Sequence, residues 1–286
     1  MIAKEKLTRE KFNALKKYYD KTWDEKEHTL HVGYFGMGAK TLKKSYADAT
    51  EYLLANLNRI RRLDERSNIL DVGCGTGRTL MAACAKYGCR GVGVDLSDEQ
   101  IKDAKNALKK INIIRKRNGL TSLKIKFIRG SGSELHKLLP RSKQFTHVLG
   151  QDALLFVVDK ESLFKNMFRL LVPGGALAIA DFLAEKPQTD FSAHERRTIY
   201  KMLNWNEDLS FVAYTGFLRA VGFKMMGSEE RGRDMIKTYS LLGKRMRRYL
   251  RSSDATYSDL AKRYADIVSA VKKGKMGWGL FFAVKQ

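Results

Sequence analysis

Apolar positions at helical spacing alternate with short continuous apolar runs along most of the chain. Residues 41–62 place leucine, alanine and isoleucine near a helical period, and residues 9–19 are also predicted to be helical. Five apolar runs then predict strands over 68–72, 91–95, 124–128, 146–151 and 176–182. The intervening segments predict helices over 79–87, 98–118 and 160–171. Strands that alternate with helices in this way favour a doubly wound, mostly parallel α/β sheet.

The pattern changes after Pro187. Two further strands are predicted over 223–226 and 278–284, and three helices over 211–221, 234–250 and 258–272. Because the last two of these helices are highly charged, we expect residues 185–275 to combine core elements with an inserted helical cap.

The composition fits a globular protein of 286 residues, 44% of them hydrophobic, which is enough for one α/β domain and a subdomain. The sequence has no apolar run of about 18 residues and no apolar core near its basic start, so neither a membrane span nor a secretory signal is expected. Cys74, Cys84 and Cys89 lack metal-ligand or paired spacing, which fits a reducing compartment. We therefore expect a cytoplasmic protein without a metal site.

The net charge of +23, from 54 basic and 31 acidic residues, is unusually high. Such a field attracts polyanions, but the basic residues are scattered, and only Lys244–Arg251 forms a dense cluster. No recognised nucleic-acid module is present in the sequence. The charge favours a generally basic surface, and it leaves an anionic membrane or a nucleic acid open as partners.

The chemistry is concentrated where the first strand ends. Gly73, Gly75 and Gly77 have the spacing of a strand-to-helix turn that lets backbone approach a ligand closely. Asp95 ends the second strand, 18 residues after Gly77, and its carboxylate can accept both hydrogens of a ribose diol. Dinucleotide binding is the rival interpretation, but its fingerprint requires a third glycine where Arg78 stands.

Asp71 ahead of this glycine turn resembles the first motif of the class I S-adenosylmethionine-dependent methyltransferases. The resemblance implies a Rossmann-like fold with a seven-stranded, mostly parallel sheet and an inserted helical cap. It divides the chain into an N-terminal helical segment and lid (1–66), a cofactor-binding core (67–187), and a cap with the C-terminal core strands (188–286). The implied cofactor is S-adenosylmethionine, and its implied contacts are Asp71, Gly73, Cys74, Gly75, Gly77, Asp95, Leu96, Gly130, Ser131 and Gln151. Many class I enzymes carry an acid where Ser131 stands.

A narrower resemblance is to the sarcosine/dimethylglycine N-methyltransferase family, which forms betaine. It rests on the segments His31–Phe35, Gly130-Ser131, Gln151-Asp152 and Trp278–Ala283. It implies a small-molecule amine as the methyl acceptor, with Tyr34, His31, Asp152 and Phe156 as candidate substrate contacts. This chain departs from these relatives at one position: in them a histidine often follows the loop after the fourth strand. Phe156 occupies that position here, which disfavours a phosphoethanolamine acceptor.

No catalytic residue is assigned from the sequence. A neutral amine has its own lone pair, so methyl transfer to it needs alignment and exclusion of water rather than a strong general base. An acceptor with a carboxylate would need a cationic or amide group to hold it, and residues 190–251 offer many arginines.

Two other functions stay open. One is methylation of a lipid, sterol or other natural product at an anionic membrane; the other is RNA binding or RNA methylation. The loop after the fourth strand reads Gln151-Asp152-Ala153-Leu154, without the Asn/Asp-Pro-Pro-Tyr motif typical of RNA enzymes.

Overall fold

Seven strands form a single sheet in the computed structural model, which describes residues 3–24, 28–140, 142, 144–201, 205 and 209–286. The strands are β1 (Asn68–Val72), β2 (Arg90–Asp95), β3 (Lys124–Arg129), β4 (Phe145–Gln151), β5 (Leu171–Ala184), β6 (Phe223–Glu230) and β7 (Met276–Lys285). Their order is β3-β2-β1-β4-β5-β7-β6. The first five are mutually parallel, whereas β7 runs antiparallel to both β5 and β6. The predicted fold class is confirmed.

Helices cover both faces of the sheet. They are α1 (Ala3–Thr22), α2 (Leu42–Ile60), α3 (Arg78–Tyr87), α4 (Asp98–Arg117), α5 (Leu135–Leu138), α6 (Lys160–Leu170), α7 (Ala193–Glu195, continued by a π-helical turn over Arg196–Lys201), α8 (Phe211–Val221), α9 (Gly232–Met246) and α10 (Ala255–Lys272). Successive side chains of a strand point to opposite faces. Ile69 accordingly joins the core under α1 to α4, α9 and α10, and Leu70 joins the core under α5, α6 and α8.

Polar caps explain where several helices begin. The side chains of Thr41, Ser97, Asp159 and Ser210 each accept a hydrogen bond from the backbone N–H three residues later. Such bonds satisfy N–H groups that have no partner within the helix, and each contributes about 1 kcal/mol.

Two elements begin well before their predicted starts. Helix α1 starts at Ala3 rather than residue 9, because its added first turns bring the buried Glu5 against Ser133 in the turn after β3. Strand β5 starts at Leu171 rather than residue 176. Its pairing with β4 shifts register between Phe145 and His147, so Pro173 and the two glycines after it fit within an irregular strand.

Helices α9 and α10 are inserted between β6 and β7 and pack against each other and α1. Arg245 donates to the carbonyl of Thr22, and Trp23 donates its indole N–H to the hydroxyl of Tyr264. These contacts join the start of the chain to the insertion. The limits of the three predicted regions, 1–66, 67–187 and 188–286, remain a proposal.

Within the ranges given above, no helix has the length and apolar character needed to cross a membrane. The dense basic cluster lies at the end of α9 and the turn after it. Lys244, Arg247, Arg248 and Arg251 are all exposed there.

Replacement of Phe281 by alanine tests the packing of the antiparallel strand β7. Its fully buried ring stacks on Tyr214, with ring centroids 4.3 Å apart. We expect Phe281→Ala to lower the free energy of unfolding by about 3–5 kcal/mol, since it leaves a cavity in the core. Met226→Ala, at a side chain that is 48% exposed, should change it by less than about 0.5 kcal/mol in the same urea titration. Equal effects would contradict this packing.

Candidate active site

A cavity of 590 Å³ opens at the carboxyl ends of β1, β2 and β4. This is the point where the strand order reverses, which is the usual ligand site in open α/β sheets. The turns after the strands form its floor, and α1, α2 and residues 28–31 cover it.

The glycine turn after β1 has a left-handed backbone. At Gly73 (φ +76°) a Cβ would stand 2.1 Å from the Cβ of Ala153, so only glycine lets the turns after β1 and β4 meet. At Gly75 (φ +51°) nothing lies within 4 Å of the Cβ position, which faces the cavity. A Cβ at Gly77 would collide with the Phe127 ring at 2.3 Å, so Gly77 serves helix-to-sheet packing.

Asp95 fixes the shape of that turn. One carboxylate oxygen accepts the N–H of Gly75 at 2.8 Å, and the other accepts the N–H of Ser97 at 2.9 Å. Each oxygen keeps a lone pair for a ligand hydroxyl. The side chain lines the cavity at the position expected for a ribose partner.

Several buried polar atoms along the cavity lack a hydrogen-bond partner within the described part of the chain. They are Oδ2 of Asp71, Nε2 of Gln151, Oε1 of Gln100 and Oε2 of Glu5. Buried polar groups are normally paired, so unpaired ones on residues that line a cavity indicate a polar ligand. Together they offer carboxylates for an ammonium or amino group and an amide N–H for a carboxylate, which fits S-adenosylmethionine.

Glu5 of helix α1 places its carboxylate beside the turn after β3. Ser131 and Ser133 share a hydrogen bond at 2.8 Å, and Ser133 donates to Glu5 of α1 at 3.0 Å. The resemblance placed an acid at this turn in many relatives, where this chain has Ser131. Glu5 therefore brings a buried carboxylate to the same end of the cavity, and no local sequence signal links it to β3.

Asp152 connects three segments at the opposite end. It adopts φ +52°, and its carboxylate accepts the N–H of Val32 at 2.5 Å and the indole N–H of Trp278 at 2.6 Å. Burial raises the pKa of Asp152 to about 8, although these two bonds act in the other direction.

His31 and two phenylalanines line the same end. Burial lowers the pKa of His31 to about 4, so its imidazole is neutral at pH 7. Its Nε2 lies 3.4 Å from the hydroxyl of Thr50. Phe156 packs edge-on against Phe12 of α1, with ring centroids 4.9 Å apart, and both rings line the cavity.

Of the fourteen predicted contacts, all except Gly77 and Tyr34 line the cavity described here. The Tyr34 ring instead stacks on Tyr52 at 4.3 Å and lies under the guanidinium of Arg231 at 4.5 Å. Its placement does not support the expected substrate contact. The structure adds lining residues that sequence reasoning missed, because long-range packing alone brings them here: Glu5, Arg9 and Phe12 from α1, and Tyr46 and Thr50 from α2.

The family is established by comparison with known proteins. The fold and the cavity are those expected of the class I S-adenosylmethionine-dependent methyltransferases. The profile described as "Methyltransferase domain" matches residues 63–219, more than half of the chain. The chain therefore belongs to the methyltransferase domain family.

Curated relatives include phosphoethanolamine N-methyltransferases. The chain is 29% identical over 249 residues to phosphoethanolamine N-methyltransferase 1 of Zea mays, covering 84% of this chain and 44% of that protein. The chain spans about half the length of the plant relatives that it matches. It is 24% identical to the Plasmodium falciparum phosphoethanolamine N-methyltransferase over 93% of this chain and 96% of that protein.

A solved structure assigned as a sarcosine dimethylglycine methyltransferase, from Galdieria sulphuraria, has the same fold. The TM-score is 0.79 at 19% identity, with 96% of this chain and 98% of that chain covered. Other solved structures of this fold hold S-adenosylmethionine or S-adenosylhomocysteine.

Gly75→Val tests whether the glycine turn after β1 binds the cofactor. A valine side chain would occupy the open space beside Gly75, so we expect binding of S-adenosylhomocysteine to be lost in calorimetry. Gly119→Val is the matched control, because Gly119 also has a left-handed φ (+70°) and open space around it but lies outside the cavity lining. Asp95→Ala should weaken binding by about 1–3 kcal/mol. Wild-type affinity in both site variants would disprove the assignment.

The stability of the unliganded protein should depend on pH through Asp71. Burial, and secondarily Asp95, raises the pKa of Asp71 to about 8. Between roughly pH 4 and pH 8 the native state then holds a proton that the unfolded chain has released, so stability falls as pH rises. We expect urea titrations to show a shallower decline for Asp71→Asn. Identical slopes for the two proteins would contradict the raised pKa.

Proposed function

We propose that this protein transfers the methyl group of S-adenosylmethionine to the nitrogen of a small amine. The observation that carries the proposal is the cavity itself. At one end the cavity is lined by the glycine turn after β1 and by Asp95. The covered end holds Asp152, the neutral His31 and the aromatic rings of Phe12 and Phe156. A cavity of this size is in the range for small ligands.

The cofactor would be held by residues whose unpaired atoms face the cavity. Gly75 would leave room for it, and Asp95 would accept hydrogen bonds from its ribose hydroxyls. Asp71 would bind its amino group, and the amide N–H of Gln151 would donate to its carboxylate. Glu5 would accept a hydrogen bond from the adenine amino group, in place of the acid that relatives carry in the turn after β3. When bound, S-adenosylmethionine supplies a methyl carbon whose bond to the sulfonium sulfur breaks as the amine nitrogen attacks.

The described residues at the covered end suit an amine. Burial leaves the carboxyl of Asp152 largely protonated in the empty protein at pH 7, and a cationic nitrogen beside it would favour its ionised form. Aromatic faces such as those of Tyr46 and Phe156 stabilise a methylated ammonium by cation–π attraction. Since His31 is neutral, it adds no competing positive charge. Helix α1 excludes water, so alignment and desolvation make the main contribution to rate.

Two kinds of acceptor are candidates, an N-methylated glycine and phosphoethanolamine, and both carry an acidic group. Sarcosine and dimethylglycine are favoured by Phe156, which replaces the histidine common in the relatives. Phosphoethanolamine is the second candidate, because curated relatives bear that activity in their names.

The N-terminal segment would act as a lid. Helix α1 contacts the body of the site through polar pairs and through aromatic packing: Asn13 with Ser97 at 2.6 Å, Arg9 with Asp98 at 3.7 Å, Glu5 with Ser133, and Phe12 with Phe156. Such contacts can break and re-form as substrate enters and product leaves.

A methyl-transfer assay with radiolabelled cofactor tests the function. We expect turnover of dimethylglycine, sarcosine or phosphoethanolamine that changes little between roughly 50 and 200 mM salt, because contacts in a closed pocket are poorly screened. The comparison arms are anionic phospholipid vesicles and RNA. Methylation found only with vesicles or RNA, and lost at the higher salt, would overturn the proposal.

A further inference from the structure

Arg263 of α10 is a buried cation with unused hydrogen-bond donors. It is 2% exposed, and its Nη2 donates to the hydroxyl of Tyr19 at 2.9 Å. Its Nε and Nη1 have no hydrogen-bond partner among the residues whose positions are described.

The surroundings of Arg263 are aromatic rather than acidic. The rings of Tyr19 and Tyr264 lie 5.7 Å from its guanidinium carbon, and no carboxylate of the described residues forms an ion pair with it. A buried charge without a counter-ion costs several kcal/mol, so proteins rarely keep one unless it has a partner or a function. An anionic ligand would supply the missing partner.

Arg263 lies just behind the covered end of the cavity. Tyr19, which it contacts, packs against Phe12 of the cavity lining, with ring centroids 6.1 Å apart. On the other side, the buried Tyr239 lies 5.5 Å from Tyr264. Burial raises the pKa of Tyr239, and both Arg263 and Asp152 influence it electrostatically.

We propose that Arg263 binds the acidic group of the methyl acceptor, while Asp152 attracts its nitrogen. The inference rests on the proposed function and narrows it to amines that carry a carboxylate or a phosphate. The sequence offers many arginines for this role within residues 190–251, whereas Arg263 lies in α10, outside that range.

Arg263 and the tyrosines around it are not among the residues that line the cavity, so contact between the guanidinium and the acid requires the Tyr19 ring to move aside, as an opening of α1 would allow. The guanidinium thus acts as a specificity-determining and positioning group. Its planar donors match carboxylate and phosphate oxygens.

The test compares Arg263→Met with Arg248→Met, which removes the same charge from an exposed position. Acceptors are dimethylglycine and phosphoethanolamine, each beside a counterpart without the acid, dimethylglycinamide and ethanolamine. We expect Arg263→Met to raise KM for the acidic acceptors on the order of 100-fold, as for a buried charge that loses its partner. The neutral counterparts should be little affected, and so should the affinity for S-adenosylhomocysteine. Arg248→Met should match the wild type.

Thermal stability separates this role from a structural one. Removal of a buried unpaired charge should leave the melting temperature of the free protein unchanged or higher. Dimethylglycine or inorganic phosphate, added with S-adenosylhomocysteine, should stabilise the wild type and not Arg263→Met. Equal losses with all four acceptors together with a lower melting temperature, or an unchanged preference for the acidic acceptors, would refute the inference.

These outcomes also separate the inference from the proposed function. A wild type that methylates none of the amines, yet is stabilised by phosphate through Arg263, would refute the function and retain the anion site. If the wild type methylates amines and Arg263→Met methylates them equally well, the proposed function stands and the anion site is refuted.

Discussion

The carboxylate of Asp152 is the interaction on which the covered end of the site depends. It receives the N–H of Val32 from the N-terminal segment and the indole N–H of Trp278 from the last strand, while its own backbone follows β4. Segments more than a hundred residues apart in sequence therefore meet at one buried side chain. A buried carboxylate is costly unless donors surround it, so the fold keeps this group only by bringing those two donors to it.

Other buried polar groups in and near the cavity also destabilise the empty protein and would contribute to ligand binding. Asp71, Glu5 and Gln151 keep buried polar atoms unpaired, and Arg263 does so one aromatic layer further away. Each atom destabilises the empty protein, and each would be satisfied by a complementary group of a ligand. Preorganised polar groups of this kind bind a substrate with little rearrangement.

The hydrophobic pattern predicted the seven strands and most of the helices, because one buried face per element leaves a local trace. The glycine turn and Asp95 were also visible, since close backbone approach demands particular residues at fixed spacing. Glu5 and Arg263 left no such trace. Their roles depend on α1 and α10 packing beside loops far away in the chain, and local spacing carries no information about that. Gly77 and Tyr34 are the opposite case: each belongs to a motif that predicted a ligand contact, but in the structure each packs against other side chains outside the cavity lining.

The position of Arg263 also bears on the net charge of +23. A zwitterionic acceptor needs one cation for its acid and one anion for its nitrogen, and the interior supplies one of each in Arg263 and Asp152. The exposed lysines and arginines are then not required for recognition in the pocket. Under the proposed roles of Arg263 and Asp152, selection of the acid and of the nitrogen would reside in α10 and in the turn after β4, and Phe156 would take part in neither contact.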